Sequence, residues 1–234
     1  MYFNPVMQFE IRFTRIIDFP KSVYDEISPF AGLSTTIEIA NELSSKDCMI
    51  SLLFADDFTE IHIKWDRVFF KCTTHKDDWL KNNNFVEEPF LNLFKRLKAS
   101  KNFGKISNIL FLGVFVEDAS GKDLNIERIN KNFAEKYLTE TCANGVLKGF
   151  SDVGIVFDKK ESTSEVNVQF GPYKGLEDLK KLGFETKDMV LAEKISKPSQ
   201  IMKYKYLQLT DSLNFAKFKS IYQAAVKIVD SQWK

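Results

Sequence analysis

The fold is decided by Met7-Gln-Phe-Glu-Ile-Arg-Phe13, in which apolar and polar residues alternate without a break. Alternation with a period of two is typical of a β-strand that buries one face and exposes the other. Strands of this kind belong to antiparallel sheets, because strands of a parallel sheet are usually buried on both faces. The sequence therefore predicts an antiparallel sheet that begins near the N-terminus.

The region after this strand is also rich in β-forming residues. Asp56-Asp57 and Asp66-Arg67 stand where tight turns would connect neighbouring runs. The predicted runs are Thr36–Ile39, Met49–Phe54, Phe58–Trp65 and Val68–Thr73. The last three are expected to form a meander of hairpins.

Apolar residues at intervals of three and four predict amphipathic helices in three later regions. These regions are Val86–Leu97, Ile126–Leu138 and Leu213–Trp233. The third has the strongest pattern, and Asp211 or Ser212 is expected to cap it.

The other apolar runs predict the strands of the second half and one short helix. The predicted strands are Ile106–Val116, Val146–Phe157, Val166–Phe170, Met189–Ile195 and Tyr204–Leu209, and the short helix is Leu176–Leu182.

The order of these elements divides the chain near Gly104. The prediction is an α+β fold of two similar halves, 1–104 and 105–234, each a mainly antiparallel sheet with a long amphipathic helix packed on one face. The two halves repeat in element order and not in residue sequence. The pattern leaves open whether they pack as one compact unit.

Composition limits the class of protein. The chain has 234 residues, 44% of them hydrophobic and 28% charged, with a net charge of +1. A disordered or low-complexity protein is excluded by these values. The 28 Lys against 5 Arg, together with 22 Phe, point to an AT-rich bacterial genome.

Cysteine usage and hydropathy bear on the compartment. Cys48, Cys72 and Cys142 form an odd and widely spaced set, which favours a reducing environment over a disulfide framework. The longest apolar stretch, Ile109–Val116, is too short to cross a bilayer, and the first residues lack a basic segment followed by an apolar run. These features predict a soluble cytoplasmic protein with no membrane partner.

The order of elements resembles a sporadically distributed family of uncharacterised bacterial proteins. The resemblance rests on Met7–Phe13, Thr59–Trp65, Phe90–Leu97, Ile106–Val116 and the ending Tyr206-Leu-Gln-Leu-Thr-Asp211 before a terminal helix. Members of that family tend to carry an Arg-Tyr-Asn signature in the mid-chain strand, where this chain has Phe111-Leu-Gly-Val-Phe-Val116. The resemblance implies a bacterial protein of an accessory or mobile-element system and supplies no catalytic residues.

One short segment has the residue types of a metal site or a nucleophile. Cys72 and His75 are three residues apart and are followed by Asp77 and Asp78. A thiolate and an imidazole could share a zinc ion, but a closed zinc site needs four ligands, and Cys48 and Cys142 have no partner at a suitable spacing. A hydrolase-like enzyme using Cys72, His75 and Asp77 is the alternative hypothesis, and it requires a turn at Thr73-Thr74 to bring the side chains together. The plain interpretation is a cysteine at a strand end and a histidine in a solvated loop.

No common cofactor or catalytic motif is present. The sequence contains no Gly-x-Gly-x-x-Gly, no phosphate-binding loop, no Gly-x-Ser-x-Gly and no His-Glu-x-x-His. Adjacent carboxylates at Asp56-Asp57, Asp77-Asp78 and Glu87-Glu88 fit turns and helix starts. We therefore predict no cofactor and no metal.

Positive charge is concentrated near the C-terminus. Residues 194–234 contain eight Lys and two Asp. Lys203-Tyr204-Lys205 places a ring between two cations, and Lys217 lies on the terminal helix, as a nucleic-acid-binding surface could arrange them. A solvated lysine face and an acidic protein partner are the alternatives.

These observations rank three functions. The leading expectation is a non-enzymatic protein that binds a protein partner or itself through a sheet face or the basic C-terminal region. A nucleic-acid-binding protein and a hydrolase-like enzyme are the alternatives.

Overall fold

A computed structural model describes residues 1–75, 86–122, 125–139, 142, 145 and 152–233. Nine strands of the described chain form one antiparallel sheet in the order β2-β3-β4-β5-β1-β6-β9-β8-β7. The strands are β1 Tyr2–Phe13, β2 Thr36–Ala40, β3 Met49–Leu53, β4 Thr59–Lys64, β5 Arg67–Cys72, β6 Ile106–Glu117, β7 Ile155–Lys160, β8 Ser164–Tyr173 and β9 Ser199–Leu209. The α+β class and the antiparallel sheet are thus confirmed.

Six α-helices of the described chain accompany the sheet. They are α1 Tyr24–Ala31, α2 Asn92–Ala99, α3 Ile126–Tyr137, α4 Leu176–Lys181, α5 Met189–Lys194 and α6 Phe215–Trp233. None of the helices that the structure describes has the length and apolarity needed to cross a bilayer.

One face of the sheet packs against α1, α2, α3 and α6. The alternation of β1 places Met7, Phe9, Ile11 and Phe13 on this face, and each of them is almost fully buried. Phe218 of α6 contacts Phe9 edge-on, with ring centroids 4.6 Å apart. The main hydrophobic core therefore lies between the sheet and this layer of helices.

The opposite face carries Gln8, Glu10 and Arg12 of β1, and we call it the polar face. At one end it is covered by α4 and α5, which pack on a smaller core made of Val6, Val114, Val116, Tyr173, Leu179, Leu191 and Ile195. The polar face thus has a covered end and a part on which polar and charged side chains meet.

Two details of the predicted elements are wrong. Met189–Ile195, predicted as a strand, contains helix α5, because the Asp188 side chain caps the Leu191 N–H. At α6, the cap hydrogen bond to the Lys217 N–H comes from Asn214 and not from Asp211 or Ser212. The early part of the predicted strand Val146–Phe157 lies outside the described residues.

Candidate functional site

Four polar side chains form a continuous hydrogen-bonded network on the polar face. Ser51 of β3 and His62 of β4 are directly opposite each other in the ladder, and Ser51 Oγ lies 2.9 Å from His62 Nδ1. Glu60 lies two residues before His62, so both point to the same side of β4, and its Oε2 is 2.8 Å from His62 Nε2. Lys187, from the segment between α4 and α5, donates to Glu60 Oε1 at 3.0 Å.

The hydrogen-bond partners in this network bear on the tautomer of His62 and on the pKa of Glu60. A hydrogen bond to a carboxylate assigns the proton of a neutral imidazole to Nε2, so that Nδ1 accepts from the Ser51 hydroxyl. The hydrogen bond from His62 and then that from Lys187 lower the pKa of Glu60 to about 2, although burial acts in the opposite direction. Phe69 stacks on the His62 ring at 4.6 Å and holds its plane.

The order hydroxyl, imidazole, carboxylate is that of a nucleophile with its general base, but the setting does not suit catalysis. Ser51 is only 3% exposed. It lies in the middle of β3, which pairs with β2 on one side and β4 on the other, so its backbone N–H is committed to the ladder and is not available to an oxyanion. The hydrogen bonds of this network instead connect β3, β4 and the α4–α5 segment.

A second network surrounds Glu10, which is 4% exposed. Its Oε1 accepts from Arg12 Nε and, at 3.3 Å, from Arg67 Nη1. Arg67 also donates to the carboxylate of Asp66. A buried carboxylate needs such partners, and two of the five arginines are used to supply them.

Next to these networks lies a surface of different character, made of Lys71, Leu112, Lys203, Lys205 and Leu207. We call it the lysine–leucine surface. Leu112 is directly opposite Lys205, and Lys71 lies in the same cross-strand row, about 14 Å from Lys205 across three strand spacings. None of its three lysines forms an ion pair with another side chain that the structure describes.

The structure separates Cys72 from His75. Cys72 is fully buried on the helix-packed face, and its Sγ donates to the Thr74 carbonyl at 3.6 Å. His75 packs edge-on against Phe3, which belongs with the smaller core on the other side of the sheet, and its Nδ1 accepts from the Asn4 N–H at 2.9 Å. Asp77 lies outside the described residues, as does Asp78. In the described part of the chain no three His, Cys, Asp or Glu side chains are grouped so as to hold a metal ion.

The four residues considered for nucleic-acid binding do not share a surface. Lys203 and Lys205 lie on the polar face. Tyr204 points to the opposite side, is 2% exposed and packs against Phe111, and burial raises the pKa of its hydroxyl to about 12. Lys217 is on α6, in the layer of helices, and donates to Thr210 Oγ1 at 3.2 Å. The expectation that Tyr204 offers a ring between two cations is therefore corrected, because the alternation of β9 sends it into the core.

Sequence reasoning missed Ser51, Glu60 and Lys187. The spacing of Glu60 and His62 on a predicted strand was a usable signal, since residues two apart share a face. The pairing with Ser51 depends on the register of β3 and β4, and the approach of Lys187 spans 127 positions. Local patterns do not carry that information.

No protein-family model matches the chain, and no curated protein matches it. The resemblance to a sporadically distributed bacterial family therefore stays a prediction.

Proposed function

We propose that this chain is a non-enzymatic binding protein and that its lysine–leucine surface holds an acidic segment of a partner protein. The observation that carries the proposal is the contrast on the polar face. The carboxylates Glu10 and Glu60 are paired with cations of the same chain, whereas the ammonium groups of Lys71, Lys203 and Lys205 have no described acidic partner. An acidic segment would supply the missing charges.

The apolar residues between the lysines favour a polypeptide over a nucleic acid. Leu112 and Leu207 offer contacts to aliphatic side chains. Sequence-tolerant binding of single strands uses aromatic rings on which bases stack. Phe69 already stacks on His62, and Tyr204 is buried. Neither of these two rings is therefore offered to a base.

The proposal extends to the two halves of the chain, 1–104 and 105–234. In the first half the last strand, β5, lies beside the first strand, β1, and in the second half β9 lies beside β6 in the same way. Each half ends with a helix, which is α2 with eight residues in the first half and α6 with nineteen in the second. We propose that the halves are two versions of one topology joined at β1 and β6, and that the partner lies across this junction.

The proposed setting is the cytoplasm of a bacterium. The lysine-rich, arginine-poor composition supports the bacterial source. Cys48, Cys72 and Cys142 are free thiols, which supports a reducing compartment.

The test uses a synthetic peptide of alternating glutamate and leucine, with its lysine–leucine counterpart and oligothymidylate as comparison probes. We expect the glutamate–leucine peptide to shift the backbone amide NMR signals of β6 and β9. Lys205→Glu should weaken its binding by about tenfold or more, because like charges would then face each other.

Lys219→Glu is the matched control, since Lys219 is an exposed lysine on α6, in the layer of helices behind the sheet. It carries the same change of charge and should leave the affinity within about twofold. Equal losses in the two variants would overturn the proposal. So would preferential binding of oligothymidylate with an affinity that falls steeply with salt, which would assign the surface to nucleic acid.

A further inference from the structure

A hollow of about 400 Å³ lies on the polar face where β7, β8 and β9 meet the end of α4. Its floor and walls include Val156, Gln169, Gly171, Ile201, Lys203 and Leu182. Lys203, Gln169 and Val156 are register partners across three strands, so they form one row along the hollow. Most of the lining is aliphatic or backbone.

Two glycines shape the hollow. Gly171 pairs with Ile201, and a methyl group added to it would lie 3.3 Å from the Cα of Gly154 and from the carbonyl oxygen of Val153. The start of β7 can therefore approach β8 closely, because no side chain stands between them. A larger side chain at position 171 would occupy the space beside Ile201.

The charges around the hollow are uneven. Asp152 is at its rim, but its carboxylate is taken by Lys174. Lys203 has no acidic partner among the described side chains, so the charge that the hollow presents is positive. Along β9, Ile201, Lys203, Lys205 and Leu207 point to the same side, so the hollow continues directly into the lysine–leucine surface.

We propose that this hollow is the anchor site of the partner: it takes one large apolar side chain of the acidic segment, while a neighbouring carboxylate of that segment pairs with Lys203. The inference rests on the proposed function and names the residue chemistry that the function requires. Aliphatic walls favour leucine, isoleucine or phenylalanine in the hollow, and Lys203 at its rim requires the acidic residue beside it. A few side chains held in desolvated pockets supply most of the affinity of an interface.

Two exposed residues of β7 give a matched pair of variants. Val156 is 59% exposed and lines the hollow, whereas Phe157 is 58% exposed and points to the opposite side of the same edge strand. Val156→Glu places a negative charge in the hollow, and Phe157→Glu places it behind the sheet. Since both positions are exposed to a similar degree, the two variants should fold equally well, which amide exchange or thermal unfolding would verify.

The experiment measures the affinity of a fluorescently labelled glutamate–leucine peptide for the full chain and for both variants. Val156→Glu should weaken binding by about tenfold, and Phe157→Glu should change it by less than about twofold. A glutamate–alanine peptide should bind the unaltered chain at least about tenfold more weakly than the glutamate–leucine peptide, since it has no side chain to fill the hollow.

The outcomes separate this inference from the proposed function. If Lys205→Glu abolishes peptide binding while Val156→Glu leaves it unchanged, the anchor site is wrong and the binding surface stands. If neither variant affects binding, both are wrong. If octanoate alone binds in the hollow more tightly than the peptide, the hollow is a site for a small apolar acid and not for a protein segment.

Discussion

Glu60 connects β4 with β3 and with the α4–α5 segment. It accepts hydrogen bonds from His62 and from Lys187, and His62 is hydrogen-bonded to Ser51 of β3. The pKa of Glu60 is lowered from 4.5 to about 2 by these contacts. A carboxylate with a lowered pKa stabilises the folded state above its unfolded pKa, and the contribution is lost as the pH falls through the folded value. We predict that Glu60→Gln costs about 2 kcal/mol of unfolding free energy at neutral pH.

The same argument predicts that this cost shrinks as the pH falls from 4.5 towards 2, because the native carboxylate becomes protonated as well. Urea unfolding of both proteins across this range measures the difference. Glu165→Gln is the control, since Glu165 forms an exposed ion pair with Lys160 on the same face and should cost less than about 0.5 kcal/mol. A cost for Glu60→Gln that is the same at both ends of the range would contradict the role assigned to the network.

At the candidate site, the side of the sheet on which a residue lies could be predicted from the sequence, but its hydrogen-bond partners could not. The alternation of β9 places Lys203 and Lys205 on the polar face and sends Tyr204 into the core. The partners of His62 could not be predicted, because they depend on the register between strands and on a distant loop. The sequence spacing of Cys72 and His75 does not indicate on which side of the sheet each side chain lies.

At the scale of elements, α5 shows why a short apolar run misled the prediction. Met189-Val-Leu-Ala-Glu-Lys194 has the hydropathy of a buried strand, but Asp188 precedes it as a cap and Leu191 and Ile195 are four residues apart on the buried side. Longer patterns predicted their elements correctly: β1 and α6 show several repeats of one period, whereas the β3–β5 meander was predicted from β-forming runs separated by turn residues. Six residues give too few repeats to separate a period of 3.6 from a period of two.

The capping of α5 can be tested directly. Asp188 accepts from the Leu191 N–H at 3.0 Å and from the Thr74 hydroxyl, which joins the helix to the end of β5. We predict that Asp188→Ala costs about 1–2 kcal/mol in urea unfolding, while Asp188→Asn keeps most of the stability because asparagine is also a good cap. Equal costs for the two substitutions would show that the cap is not the source of the stability.

At the scale of the whole molecule, the central feature is the pair β1–β6, whose register runs from Tyr2 opposite Glu117 to Phe13 opposite Ile106. This pair makes one sheet from the two predicted halves. The core is shared in the same way, because Phe9 of the first half contacts Phe111 at 4.8 Å and Phe218 at 4.6 Å, both from the second half. These ring contacts join the two predicted halves through one core.

This sharing predicts a single cooperative unfolding transition. Phe218→Ala should cost about 3–5 kcal/mol, because it leaves a cavity between the sheet and α6. The loss should appear equally in both halves when hydrogen exchange is followed at Ile61 of β4 and Val168 of β8, whereas Lys219→Ala should leave both protection factors unchanged. A loss of protection confined to Val168 would instead mean that residues 1–104 fold independently. The proposed partner segment would then bridge two domains and would not lie across one continuous sheet.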